Sequence, residues 1–421
     1  MGLIHTHRIQ SGHVYCIGMN RKLELVVGAI ISLLFMTYYW WGSLTLIGVI
    51  YIPTVVTSIL LLSICFILQR FSFKRDNTLY RLFLFTLSFY LIIYLSLNYF
   101  TISDQTWQEI NRLSLWILAS LMLHMLVLRK LSTKRILRIG LRLWVVICAI
   151  TLGIKFVLGD EALFLLDVIA ANGEDNINIV KDISSGIDIN RFVIPGLNSN
   201  TVAIQCALML PLLMLEKKKL FQLIFGLVLM AAGFLTYSRM FFVFLFFILI
   251  LYTLIYKSIK PLVFSLILSP LVLFTNPLVY YRMLNTIDGL FGTDYSYGLT
   301  KSSSDRSTLI SDSILWIADH PWGGNIELML QVAPGASGEH LLYLYLANIL
   351  GLLFGLILFI FSLIFTWRIY RSRDMALKDK LLSRSLILII LLSALVAPSY
   401  YIQLIWWPIV ISFHAEFNKV R

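Results

Sequence analysis

Apolar runs of roughly 17–25 residues, the length that carries a helix across a ~30 Å hydrocarbon core, recur along the whole chain with short polar breaks between them. They are continuous rather than alternating, which predicts helices and not the strands of a membrane barrel. The pattern places spans at Leu23–Trp41, Ser43–Leu68, Leu79–Phe100, Glu109–Leu128, Ile136–Leu158 and Thr201–Leu215. It continues with Leu220–Thr236, Met240–Tyr256, Pro261–Thr275, His340–Trp367, Ser385–Ala397 and Tyr400–Phe413. The predicted fold is all-α: a polytopic integral membrane protein of about twelve transmembrane helices.

Two connections are long, 159–200 and 276–339, and long loops in a compact protein are usually functional or disordered. The chain therefore divides into a tail (1–22), five spans (23–158), a first loop (159–200), four spans (201–275), a large second loop (276–339) and a last group of three spans (340–421). The first loop is acidic early and changes character at Arg191-Phe192-Val193-Ile194-Pro195-Gly196; its apolar run 162–171 suits a helix on the membrane surface. In the second, Ser302-Ser303-Ser304-Asp305 is an N-cap cluster, Leu309, Ile310, Ile314 and Ile317 follow at helical spacing, and His320-Pro321 with Gly323-Gly324 ends the helix. With Trp316 and Trp322 suited to an interface, this reads as an amphipathic helix resting over the bundle.

Composition agrees with a bilayer as solvent, with 59% hydrophobic residues, 13% charged and a mean hydropathy of +0.85. Charge orients the spans. With the N-terminus in the cytoplasm, 26 of the 34 Lys and Arg fall on the cytoplasmic side, and 16 of the 22 acids fall outside. That is the positive-inside bias of an inner, or plasma, membrane protein, and an even span number puts both termini in the cytoplasm. The net charge of +12 thus reports topology and contact with anionic lipid, not nucleic acid. Cys16, Cys65, Cys148 and Cys206 share no outside loop and lack metal spacing, so neither a disulfide framework nor a metal site is expected. The first span lacks a small-residue cleavage site and reads as a retained helix.

Candidate chemistry sits on the outside face, where the charge bias disfavours arginine. Arg239 stands in Thr236-Tyr237-Ser238-Arg239, a tight turn between two apolar helices, and either serves a site or snorkels to lipid phosphate. Arg306 lies in the first turn of the loop helix, where a guanidinium and a helix N-terminus together suit an anion, or else it pairs with Asp305 or Asp312. Arg191 precedes a Pro-Gly turn and Asn198-Ser199-Asn200, in which Asn200 reads most simply as an N-cap. Glu339-His340 opens the tenth span; the imidazole is either an acid–base group with a carboxylate neighbour or a polar cap. Gly351 and Gly355 read as a small-xxx-small packing pair. No P-loop, HExxH, Gly-x-Ser-x-Gly or outside Asp-x-Asp pair is present, and few ionisable groups fall mid-membrane.

The ordered set resembles the bacterial O-antigen polymerases and O-antigen ligases. The likeness rests on Arg191…Gly196…Asn200, Tyr237-Ser238-Arg239, Arg306…Trp316…His320-Pro321…Gly323-Gly324 and His340…Tyr343-Leu344…Gly351, over about residues 191–360. The wider spacing of glycines after His340, and Glu339 beside it, depart from the family pattern. The resemblance implies a GT-C-like, membrane-embedded glycosyltransferase of lipopolysaccharide or polysaccharide biosynthesis, inverting and metal-independent, without a cofactor, whose two long loops are periplasmic. Its implied substrate is an oligosaccharide on undecaprenyl diphosphate, with a flippase and a chain-length regulator of the same pathway as partners. Arg239 and Arg306 would bind the diphosphate, with Arg191, Asn200 and Tyr237 in substrate binding and His340, with Glu339, acting on the acceptor hydroxyl. A polymerase would extend the non-reducing end of another lipid-linked repeat unit, and a ligase would move polymer to the lipid A core. An exporter of lipid-linked oligosaccharide or polysaccharide would need a polar path through the bilayer, against which the scarcity of mid-membrane charge and of internal repeats counts. For the topology itself, single cysteines at Asp175 and Gly298 should react with an impermeant maleimide in intact cells, and one at Lys218 should not; labelling at Lys218 would overturn the map from the sixth span onward.

Overall fold

The structure, a computed structural model, describes residues 45–46, 50–51, 78–98, 106, 110, 113, 117, 120, 132–159, 162, 192–195, 197, 199–236, 238–260, 263, 310–324, 328–329, 342–371, 375–396 and 409–411. The elements are β1 (Thr45–Leu46), β2 (Ile50–Tyr51), α1 (Thr78–Asn98), α2 (Thr133–Leu158), α3 (Ser199–Met209), a 3₁₀ turn η1 (Pro211–Leu215), α4 (Lys219–Leu235), α5 (Arg239–Tyr256), α6 (Leu342–Leu350), α7 (Leu352–Arg371) and α8 (Leu377–Val396). Residues 310–319 add a helix in the second loop. By length and composition α2 and α7 can each cross a membrane, and Leu82–Leu97, Ser199–Leu215, Lys219–Leu235 and Met240–Tyr256 are shorter apolar helices. A mostly helical membrane architecture is thus in place. The spans expected at Leu23–Trp41, Glu109–Leu128, Pro261–Thr275 and Tyr400–Phe413 lie wholly or mostly outside the described residues.

α1, α2 and α7 each have one buried and one exposed side. On α2, Leu137, Leu141, Trp144, Cys148 and Leu152 follow helical spacing and are buried, whereas Val146, Ile150 and Phe156 are exposed. α3 is buried almost throughout, from Ser199 and Thr201 to Met209, which makes it the central helix. α1 and α7 pack side by side in opposite directions: Phe83 meets Phe361 with ring centroids 4.7 Å apart, and Tyr90 meets Phe354 at 5.5 Å. Cys148 and Cys206 are free and buried.

Four expectations are corrected. The second span, expected as helix from Ser43, contains a two-residue antiparallel ladder pairing Thr45 with Tyr51 and Leu46 with Ile50. Thr45, Ile50 and Tyr51 are β-branched or aromatic residues that favour strands; the rest of that expected span lies outside the described residues. The sixth span is not α-helical to its end, because Pro211 offers no N–H and converts its last turn to 3₁₀. The eleventh begins eight residues earlier, at Leu377 instead of Ser385; charged residues at its start hid the helix from a hydropathy reading.

The fourth correction is the largest. The tenth span is no single helix, since α6 stops at Leu350 and α7 folds back along it. Gly351 has φ +95°, a backbone that side chains disfavour and that ends helices. A Cβ on Gly355 would stand 2.7 Å from the Tyr343 carbonyl and 2.8 Å from the Ala347 Cβ, so the missing side chain lets the two helices close up. Tyr343 and Phe359, each eight positions from Gly351, have ring centroids 5.1 Å apart. The nine residues of α6 rise only about 13 Å, too little to cross, while the 20 of α7 rise about 30 Å. Gly355 thus does serve close helix packing, and Gly351 serves the turn.

At the helix ends expected to be cytoplasmic, Arg142, Arg138 and Lys134 are fastened to neighbouring elements. Arg142 of α2 grips the carboxylate of Glu216 with two bonds, Nε–Oε1 at 2.7 Å and Nη2–Oε2 at 2.8 Å. Arg138 donates to the Leu215 carbonyl at 2.9 Å, Gln222 to the Glu216 carbonyl at 2.8 Å, and Lys134 pairs with Asp379 of α8 at 2.9 Å. The Glu216 side chain is 2% exposed and that of Arg142 50%. Removing either partner therefore has unequal effects. Arg142→Ala strands a buried carboxylate and should cost near the lower end of the roughly 3–5 kcal/mol typical of a broken buried pair. Glu216→Ala leaves a guanidinium that water can reach and should cost clearly less; thermal unfolding of both purified variants in detergent checks the order.

Candidate functional site

The turn expected to carry Arg239 is present, with α4 ending at Leu235 and α5 beginning at Arg239. Its tightness has a cause in the sequence: the Phe241 ring covers Gly233, where any Cβ would collide with it. Thr236 Oγ1 donates to the Gly233 carbonyl at 2.6 Å and accepts from the Ser238 N–H at 3.2 Å, which holds the turn from within. Ser238 occupies the N-cap of α5 but makes no cap bond. Its hydroxyl donates instead to Asn200 Oδ1, 2.8 Å away on α3.

Asn200 is accordingly not an N-cap. It is the second helical residue of α3 and cross-links two helices. The strand-like segment before α3 completes the arrangement. Phe192 donates its N–H to the Leu235 carbonyl at 2.8 Å, and Leu197 closes the Pro195 turn by donating to the Ile194 carbonyl at 2.8 Å. The N-termini of α3 and α5, each the positive end of a helix dipole, are thereby linked. The opposing carbonyl at the end of α4 is occupied by Phe192. The structure thus brings together Asn200 and the Ser238-Arg239 turn. Arg191, Tyr237, Arg306, Glu339 and His340 lie outside the described residues, and of Arg239 only the backbone is described.

A second junction forms where the loop helix meets the α6–α7 turn. The last four carbonyls of α6 each accept a hydrogen bond. Gly351 N–H supplies Ala347 at 2.9 Å and Trp316 Nε1 supplies Asn348 at 3.2 Å. Tyr94 supplies Ile349 at 3.0 Å and Tyr90 supplies Leu350 at 2.6 Å, both from α1. The Leu352 N–H that opens α7 donates to the Pro321 carbonyl at 2.9 Å, and Asn348 Nδ2 donates to Ser313 Oγ at 3.2 Å. Trp316 is therefore buried, not an interfacial side chain, and Trp322 alone of the pair is exposed. His320 stacks on Trp316 at 3.9 Å between centroids, and its backbone N–H bonds back to the Trp316 carbonyl at 2.8 Å, so His320-Pro321 ends the helix as expected.

Sequence reading passed over Tyr90, Tyr94, Asn348 and Ser238. A signal existed for the first three: polar groups inside otherwise apolar helices, with Tyr90 and Tyr94 one turn apart on one side of α1. Nothing in the sequence paired Ser238 with Asn200.

A bundle of apolar helices, two of them long enough to cross a membrane, is compatible with an all-α membrane protein. Residues 223–325 match the family described as O-antigen ligase, a stretch that runs from α4 through the Ser238-Arg239 turn to the end of the loop helix. Over that stretch the match bears out the resemblance to the O-antigen polymerases and ligases. Proteins of this family are glycosyltransferase-like, membrane-embedded enzymes of O-antigen assembly that act on lipid-linked polysaccharide. No curated protein and no solved structure matches the chain.

Gly323 tests the second junction. It has φ +91°, and an added Cβ would lie 2.5 Å from the Ile349 carbonyl oxygen and 2.8 Å from the Gly351 nitrogen. Gly323→Ala adds the roughly 1–2 kcal/mol of a disfavoured backbone to a backbone clash, so the loop helix should leave its seat. Limited proteolysis of the purified variant should then cut within 310–324 faster than wild type, and unchanged cleavage would show that the close approach is not needed.

Proposed function

We propose that the chain is an O-antigen or related polysaccharide repeat-unit polymerase, a metal-independent inverting glycosyltransferase working on the periplasmic face of the bacterial inner membrane. Undecaprenyl-diphosphate-linked glycan is the donor, and the non-reducing end of another lipid-linked repeat unit is the acceptor. The observation that carries this reading is the convergence of the α3 and α5 N-termini at the Asn200–Ser238 hydrogen bond, with Arg239 as the first residue of α5. Two positive helix ends, one of which begins with an arginine, suit a diphosphate.

In the proposed reaction the acceptor hydroxyl oxygen attacks the anomeric carbon from the side opposite the diphosphate. The bond from that carbon to the diphosphate oxygen breaks, and undecaprenyl diphosphate leaves with the electron pair. Arg239 and Arg306 stabilise the charge that develops on the leaving group, with Arg191, Asn200 and Tyr237 completing the binding site. His340, oriented by Glu339, accepts the hydroxyl proton. The loops 159–200 and 276–339 would cover the site, and a flippase and a chain-length regulator would be its partners in the pathway. A ligase reading, with lipid A core as acceptor, is favoured by the description of the family that residues 223–325 match.

One gel tests both. In a deletion strain, lipopolysaccharide reduced to core plus one repeat unit supports the polymerase; bare core with lipid-linked polymer accumulating supports the ligase. Complementation with Arg239→Lys, Arg239→Ala, Arg306→Lys or Arg306→Ala at matched membrane abundance should give almost no ladder. Loss of one donor to a developing anion typically costs about 10²–10³ in rate, and lysine keeps the charge without the two-pronged donor. Wild-type ladders from both alanine variants would return the arginines to lipid-headgroup anchoring.

A further inference from the structure

The loop helix 310–319 has three sides, and the junction with α6 uses one of them. Successive helical residues turn by about 100°, which puts Ser313, Trp316 and Ile317 on the buried side. Ile310, Ile314 and Ala318 follow one another at four-residue steps on a second side, and all three are exposed. Asp312 and Asp319 stand on the third. Leu315 falls between the second and third sides and is exposed, and Trp322 just beyond the helix is 66% exposed. An apolar stripe of this kind on an outside loop needs a cover.

We propose that this helix lies in the plane of the membrane at the surface of the outer leaflet, with Ile310, Ile314, Ala318 and Trp322 against lipid acyl chains and the two aspartates toward water. Continuity with a lipid-facing surface argues for lipid as the cover. Pro321 is tied by its carbonyl to the first N–H of α7, and α7 begins with Leu352, Leu353 and Leu356, all exposed. The helix thus sits at the outside mouth of a spanning helix whose own apolar side faces the bilayer. Its charge argues against the commoner electrostatic route to a membrane: residues 310–319 carry Asp312 and Asp319 and no Lys or Arg, and Arg306 before them is the one Lys or Arg from 302 to 367. Binding through buried apolar area alone is what remains. Such a seat would fix the height of the second loop against the lipid headgroups, and it stands whether or not the proposed reaction does.

The test uses the full chain in vesicles of phosphatidylethanolamine and phosphatidylglycerol. Nitroxide labels at Ile314→Cys and Asp319→Cys, with the four native cysteines replaced, are read by power saturation against oxygen and a water-soluble nickel chelate. The label at 314 should be several-fold more accessible to oxygen than to nickel, and the label at 319 should show the reverse. Omitting phosphatidylglycerol should change neither. Native protein gives a second measurement free of cysteine replacement: in lipid with brominated acyl chains, Trp322→Phe should lose a share of the tryptophan quenching seen in wild type. Nickel access at 314 equal to that at 319, shielding of 314 from both reagents, or quenching unchanged by Trp322→Phe would each overturn the proposal.

Discussion

A helix that ends inside a membrane protein leaves its last carbonyls without partners, and at Leu350 four such groups fall where little water is available to bond them. Here each accepts from a different donor: the Gly351 N–H, the Trp316 indole, and the Tyr94 and Tyr90 hydroxyls. The obligation to satisfy those carbonyls therefore binds three elements far apart in sequence into one place. α1 supplies two donors, the outside loop a third, and the α6–α7 turn the fourth. Gly351 makes the break, Gly355 lets α6 lie against α7, and Gly323 lets the loop backbone approach the turn.

The same logic separates the two faces of the protein. At one end of the bundle, the end the charge bias predicts to be cytoplasmic, helix ends are held by ion pairs and charged hydrogen bonds, such as Arg142 with Glu216 and Lys134 with Asp379. At the other described helix ends neutral groups do the fastening: a serine to an asparagine, an indole and two phenols to carbonyls. Neutral fastening leaves the helix N-termini of α3 and α5 with their partial positive charge uncancelled by any acid of the turn itself.

Hydropathy and helical spacing were enough to find α1, α2, α4, α5 and the loop helix, because those signals are local and long. They failed where one glycine decides between a straight helix and a reversal. His340–Trp367 is continuous in hydropathy, and a left-handed residue at Gly351 leaves no trace in an average over a window. They failed likewise at Leu377, where Lys378, Asp379 and Lys380 lower the mean although the backbone is helical. Of the candidate site residues the structure describes Asn200, which was assigned a local capping role because its partner Ser238 is 38 positions away and no local rule points across that gap.

The position of the arginine turn is itself a consequence of packing. Gly233 accepts the Phe241 ring, Thr236 ties back to Gly233, and Phe192 takes the Leu235 carbonyl. Each of these acts on the backbone, so the direction in which α5 starts is set before any charged side chain takes part. A charge placed on a scaffold of that kind does not have to be held by its own ion pair. It can be kept for a ligand, and preorganised donors of this sort stabilise a developing anion without reorganising as it forms.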